Sequence, residues 1–194
     1  MANNMNYPHL SGVVVGLSDL LWGRDVGGQY PMEKNEDHDT YGMRTVRDRF
    51  HQNKDGQLLI PAFAILVGVQ EAAKFAAIKK KGNATMTKDF SRGVIVEHDL
   101  MLDKTRDDLL VNRLSVPSDG QRGGGKRVPR YFPSLVPGWR GTFDLTILSP
   151  SITEEHCREV MYTFGMFIGL GAMRVQNGGV NGRFKIEDLK LVPA

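Results

Sequence analysis

The sequence predicts an α+β fold, a ferredoxin-like (RRM-like) βαββαβ core with two loop insertions, and three observations lead there. Four segments carry strand-type apolar patterning and two carry helical patterning. Their order is strand, helix, strand, strand, helix, strand, the split βαβ arrangement. No repeat, linker or second core divides residues 1–194, a length sufficient for one domain with a substantial core.

Val13, Val14 and Val15 are β-branched, and Leu17, Leu20 and Leu21 extend a half-alternating apolar pattern, so residues 10–22 read as the first strand. Residues 23–41, rich in Gly, Asp, Asn and Glu, read as a long loop opening the first insertion (23–57), with a short polar helix near 43–51. Residues 57–60 form a brief strand feeding a helix over 62–80. Pro61 suits the first turn, where its missing N–H costs nothing. Apolar residues surround this helix as far as Ala73, which predicts a buried first half. Lys79, Lys80 and Lys81 would complement its negative end, with Gly82 as the stop.

The second core strand is expected over 92–102, and residues 109–116 as a short strand of the second insertion (102–137). Three consecutive glycines at 123–125 are costly to hold in any regular element, so 117–137 reads as a flexible basic loop. Trp139, Gly141, Phe143, Leu145 and Ile147 alternate with polar residues and mark a strand over 139–148. Ser151-Ile152-Thr153-Glu154 fits a capping box. The apolar stripe Cys157, Val160, Met161, Phe164 and Ile168 then defines a second helix. After a glycine-rich link, residues 182–192 close the sheet.

Hydrophobic residues at 41% and charged residues at 24% match an ordinary globular protein. The longest apolar run, 61–69, is too short to cross a bilayer, and residues 1–7 carry no charged-then-apolar signal pattern. The single cysteine, Cys157, excludes an internal disulfide framework. A cytoplasmic protein without a membrane partner is therefore expected. The net charge of +3 is mildly basic. Lys and Arg cluster within 44–49, 79–81, 122–130 and 174–183, which raises the expectation of a nucleic-acid surface.

The most distinctive stretch is residues 164–184, with glycines at 165, 169, 171, 178, 179 and 182 and flanking Arg174 and Arg183. Such a loop lets backbone approach a partner closely and turns N–H groups toward phosphate. The other reading is a tight helix-to-strand connection. Gly169-Leu170-Gly171 follows a helix rather than opening one, so no nucleotide cofactor, nor any other small-molecule cofactor, is expected.

A helix ending in Gly165-x-x-Ile168-Gly169-Leu170-Gly171-x-x-Arg174, followed by Gly182-Arg183-Phe184-x-Ile186, resembles the C-terminal signature of the RAMP superfamily, the backbone subunits of CRISPR effector complexes. Ile60-Pro61-Ala62-Phe63, Val128-Pro129-Arg130-Tyr131 and Trp139 at the head of its strand are similar as well. The resemblance implies an RRM-like fold, binding of single-stranded nucleic acid (RNA or DNA) mainly through its backbone, and homo-oligomers lined up along the strand. The chain is shorter than most such subunits, which points to a stand-alone phage or mobile-element relative.

On this resemblance, Arg174 and the loop around Gly171 contact phosphates, and Arg122, Lys126, Arg127 and Arg130 track the same strand. Tyr131 and Phe132 stack bases or, alternatively, sit in the core. Arg44 and Arg47 join from the first insertion. Trp139 reads as core, and Trp22 as either.

His38 lies among Glu33, Glu36, Asp37 and Asp39, but no metal-ligand spacing accompanies it, so a solvated acidic loop without metal is expected. No catalytic arrangement is evident, and the chain is expected not to be an enzyme. Two alternatives stand beside nucleic-acid binding. One is a phage-encoded interaction or inhibitor protein that mimics a CRISPR backbone subunit. The other is a metal-dependent ribonuclease using Asp37 or Asp39, with His38 and His51 as further candidates.

Overall fold

Strand β1 (His9–Gly16) is an interior strand, next to the edge, of the larger sheet of the computed structural model, which describes residues 7–119 and 125–193. Its alternation puts Leu10 and Val14 into the core. The strand expected over 10–22 does not run through. The indole of Trp139 occupies the space a side chain at Gly16 would need, and the Arg183 carbonyl accepts from Leu17 N at 2.8 Å. The chain therefore leaves the first sheet and re-enters extended structure as β2 (Leu20–Leu21) in a second sheet.

The long loop ends sooner than expected. Asp37 accepts from the backbone N–H groups of Asp39 and Thr40 and starts α1 (His38–Thr45), which continues as a 3₁₀ turn over Val46–Arg49. Strand β3 (Gln57–Ile60) and helix α2 (Ala62–Ala76) follow as the sequence predicts at their starts. The helix stops early at Ala77, whose φ of 47° is left-handed. Lys79, Lys80 and Lys81 thus lie beyond the helix and do not cap it. Lys80 pairs instead with Asp89 at 2.9 Å.

The segment expected as one strand over 92–102 is α3 (Thr87–Gly93), β4 (Val94–Ile95) and β5 (Leu100–Thr105). The largest correction concerns 117–137. Strand β6 (Leu110–Pro117) pairs along its length with β7 (Arg127–Leu135), from Pro117↔Arg127 to Leu110↔Ser134. The prolines that suggested a loop fit this strand. The Pro133 carbonyl accepts from Trp22 N, so the backbone of Pro133, and by alternation that of Pro129, faces the β2 side. There β2 is only two residues long, and a missing N–H breaks no ladder bond.

Strand β8 (Arg140–Ile147) buries its predicted face. Helix α4 (Glu154–Thr163) is capped by Thr153 with His156, not by Ser151, whose hydroxyl donates to Asp89 at 2.6 Å. The helix passes into a π-helical turn over Phe164–Ile168, and β9 (Phe184–Val192) closes the sheet. The larger sheet has the order β3-β5-β8-β1-β9, with β4 also on β8 and all neighbours antiparallel; the smaller has the order β2-β7-β6. One apolar core joins the larger sheet to α2 and α4, and Cys157, Val160, Met161, Phe164 and Ile168 all lie in it. The fold is α+β, and among the described residues no helix is long and apolar enough to cross a membrane.

Candidate nucleic-acid interface

The two basic regions meet because of backbone pairing around β2. On one side β2 pairs with β7, Leu20↔Leu135 and Leu21↔Ser134. On the other, Ala172 N donates to the Leu21 carbonyl at 2.7 Å, and Gly182 N to the Asp19 carbonyl at 2.8 Å. Gly171, at φ 77°, makes this approach possible, since a Cβ there would collide with the Leu21 carbonyl oxygen. The glycine-rich turn is therefore docked on the edge of the smaller sheet. Arg24 N donates to the Arg49 carbonyl at 3.0 Å and Arg24 Nε to the Asp48 carbonyl at 2.8 Å, which brings in the 3₁₀ turn after α1.

Three clefts of about 370, 400 and 330 Å³ lie between these elements, neighbours sharing lining residues, and are together termed the groove. The first and second share Arg49, Ser118, Arg130 and Tyr131; the second and third share Gly23 and Ala172. Arg49 and Arg130 line the first, Phe132 and Met173 the second, and Arg24, His51, Gly171 and Arg174 the third. No Asp or Glu lines any of them. Four arginines lining these clefts, with no carboxylate residue among the lining, favour positive potential there.

Two donors of these arginines have no partner among the described residues. Arg49 stacks over Tyr41 at 5.7 Å and donates from Nη2 to Thr45 Oγ1 at 3.2 Å, but its Nε is buried without an acceptor among the described residues. The same holds for Arg174 Nε. An unpaired buried donor costs about 1–3 kcal/mol. Burial and the charge of Arg24 hold the His51 imidazole below its ordinary range, so it is neutral near pH 7.

Of the residues singled out in the sequence, the groove gathers Arg130, Tyr131, Phe132, Gly171 and Arg174. Arg130 to Phe132 reach it from a strand, not from a flexible loop. Tyr131 is a wall rather than a stacking platform. It is 8% exposed, Gly42 closes against its ring, Arg113 lies 5.9 Å over it, and its hydroxyl accepts from Arg113 Nε at 3.1 Å. Arg44 is drawn away by Glu36 at 2.8 Å and Glu33 at 3.9 Å. Arg47 is exposed and lines none of the three clefts, nor does Lys126. Arg127 folds back onto Ser115 of β6, and Arg122 lies outside the described residues.

Arg24, Arg49 and Met173 were not legible as site residues, because only the closure of β2 between β7 and the glycine-rich turn brings them together. Asp37 is occupied as the α1 cap, and Asp39 engages Arg113 at 3.2 Å. Among the described residues no cluster of three or more His, Cys, Asp or Glu side chains is arranged to hold a metal ion.

The open face of the larger sheet, where an RRM-like domain would offer aromatic platforms, is paired internally. His9 meets Asp144 at 2.9 Å, and Glu187 meets both Arg140 and Lys185 at 2.7 Å. These pairs neutralise one another and leave little net field for a polyanion.

No family model and no curated protein matches the chain. Among solved structures, it is similar to a chain of the cryo-electron-microscopy structure of the Type III-B Cmr-beta bound to cognate target RNA. The TM-score is 0.58 at 12% sequence identity, over 98% of this chain and 62% of that one. This is a likeness of fold, and this chain corresponds to 62% of the neighbour's length.

Proposed function

We propose that this chain is a RAMP-like protein that binds single-stranded nucleic acid, RNA in preference to DNA, along the arginine-lined groove. The observation that carries the reading is the set of three joined clefts bearing Arg24, Arg49, Arg130 and Arg174 and no carboxylate. A phosphate backbone laid there would be neutralised by cations already held in place, with counterion release as the driving force. The order β9-β1-β8-β5, with α2 and α4 as crossovers, supports a ferredoxin-like core. The fold likeness to a chain of an assembly bound to target RNA supports RNA as the partner. The protein acts by binding, without a cleavage step.

The test is fluorescence anisotropy with labelled oligouridylate and oligothymidylate. The expected result is binding that weakens steeply with salt, is stronger for the RNA, and falls for both in Arg174→Glu. Failure to bind either strand at low salt overturns the reading; equal binding to both would remove only the RNA preference.

A second reading, a protein that assembles with copies of itself, is favoured by an exposed aromatic cluster. Phe75 of α2 stacks on Phe167 at 5.5 Å, and Tyr162 meets Phe167 edge-on at 6.1 Å. All three are exposed, Phe75 at 62%. Light scattering after nuclease treatment in high salt tests it. Association lost in a Phe75→Ser, Phe167→Ser variant supports it, and a monomer at every concentration discards it.

A further inference from the structure

We infer that Met173 is a base-contacting residue, held at the groove in a backbone conformation that favours glycine so that its side chain can meet an unpaired nucleobase together with Phe132. The inference rests on the nucleic-acid reading of the groove and names what the middle cleft takes.

Met173 has φ 52°, in the left-handed region where a Cβ crowds the backbone. In the same turn, residues 169, 171, 178 and 182 also have positive φ, and all four are glycine. Position 173 is the exception. Its backbone is committed elsewhere, since the carbonyl accepts from Asn181 N at 3.3 Å and packs against Gly179. Its side chain is half-buried and does not belong to the apolar core, so core packing does not explain a methionine there. Of the other non-glycine residues at positive φ, Asn35 is of a type that tolerates it and Ala77 closes a helix. Asp188 sits within β9, outside the groove. Strain of this kind persists where surrounding structure or function maintains it.

The cleft that Met173 lines supplies the function. Phe132 lies on its wall, seated over Gly23, where a Cβ would come within 3.2 Å of the ring. Arginine-lined clefts adjoin on both sides. A flexible, polarisable thioether and an aromatic ring make a sequence-tolerant apolar contact for one base, while guanidinium groups on either side hold the flanking phosphates.

The experiment compares binding of labelled oligouridylate with that of an abasic strand of the same length, for the full chain and two variants. Met173→Gly relieves the backbone; Met173→Asn keeps a side chain suited to the left-handed region but polar. The expected result is a wild-type preference for the base-bearing strand of about tenfold. It should be lost in both variants, with binding of the abasic strand unchanged and the Met173→Gly melting temperature equal to or above wild type. Variants that keep the full preference overturn the inference. Arg130→Glu with Arg174→Glu separates the two levels, since it must weaken both strands alike if the groove reading holds. A wild-type protein that binds neither strand overturns both.

Discussion

The backbone N–H of Ala172 donates to the carbonyl of Leu21 at 2.7 Å, and this bond fastens the glycine-rich turn to the smaller sheet. Through it the helix-to-strand connection after α4 and the β6–β7 hairpin, far apart in sequence, become the two walls of one groove.

Gly171→Ala should break that junction. Its φ of 77° and the Leu21 carbonyl both oppose a Cβ. A loss of roughly 1–3 kcal/mol in urea unfolding is expected, with weaker nucleic-acid binding. Gly28→Ala, where a Cβ meets nothing within 4 Å, should stay within about 0.5 kcal/mol of wild type. Equal behaviour of the two variants would contradict the junction.

The arginines should separate by position. Arg130→Ala and Arg174→Ala should each lower the slope of log affinity against log salt by about 1, uniformly across sequences. Arg127→Ala and Arg44→Ala should leave it unchanged, because Arg127 lines none of the three clefts and Arg44 is bound by Glu36. Titrations at several salt concentrations measure this, and an equal fall in all four would show that the groove does not select.

Glu36 gives a pH signature. The hydrogen bond from Arg44, helped by the Glu33 backbone N–H, lowers its carboxyl from the ordinary 4.5 to about 2. The folded value lies below the unfolded one, so the ionised group favours folding above pH 4.5, and that contribution is lost as pH falls toward 2. The stability difference between wild type and Glu36→Gln should shrink over this window in acid titrations followed by circular dichroism. A difference independent of pH would argue against the pair.

Cys157 should be silent in the native protein. Burial, with a smaller effect of Glu154, pushes its thiol up to about 12. A disulfide reagent in mildly alkaline buffer should react only as fast as the chain unfolds, and fully in denaturant. Rapid labelling of the native protein would place the thiol outside the core.

By itself the sequence determined the parts whose signal is local. The alternation after Trp139, the apolar stripe from Cys157 to Ile168 and the Pro61 helix start each act within a few residues, where backbone geometry dictates which side chains share a face. Arg130, Phe132, Gly171 and Arg174 were singled out through the family resemblance together with local basic and glycine-rich composition. The tertiary structure decided what depends on distant partners. It broke the first strand against Trp139, turned a proline-bearing segment into β7 and bound Arg44 to Glu36. It also set Arg24, Arg49 and Met173 beside the residues already suspected. A guanidinium is available to a ligand only if the fold leaves it without a carboxylate partner, and that depends on which chain segments meet in space.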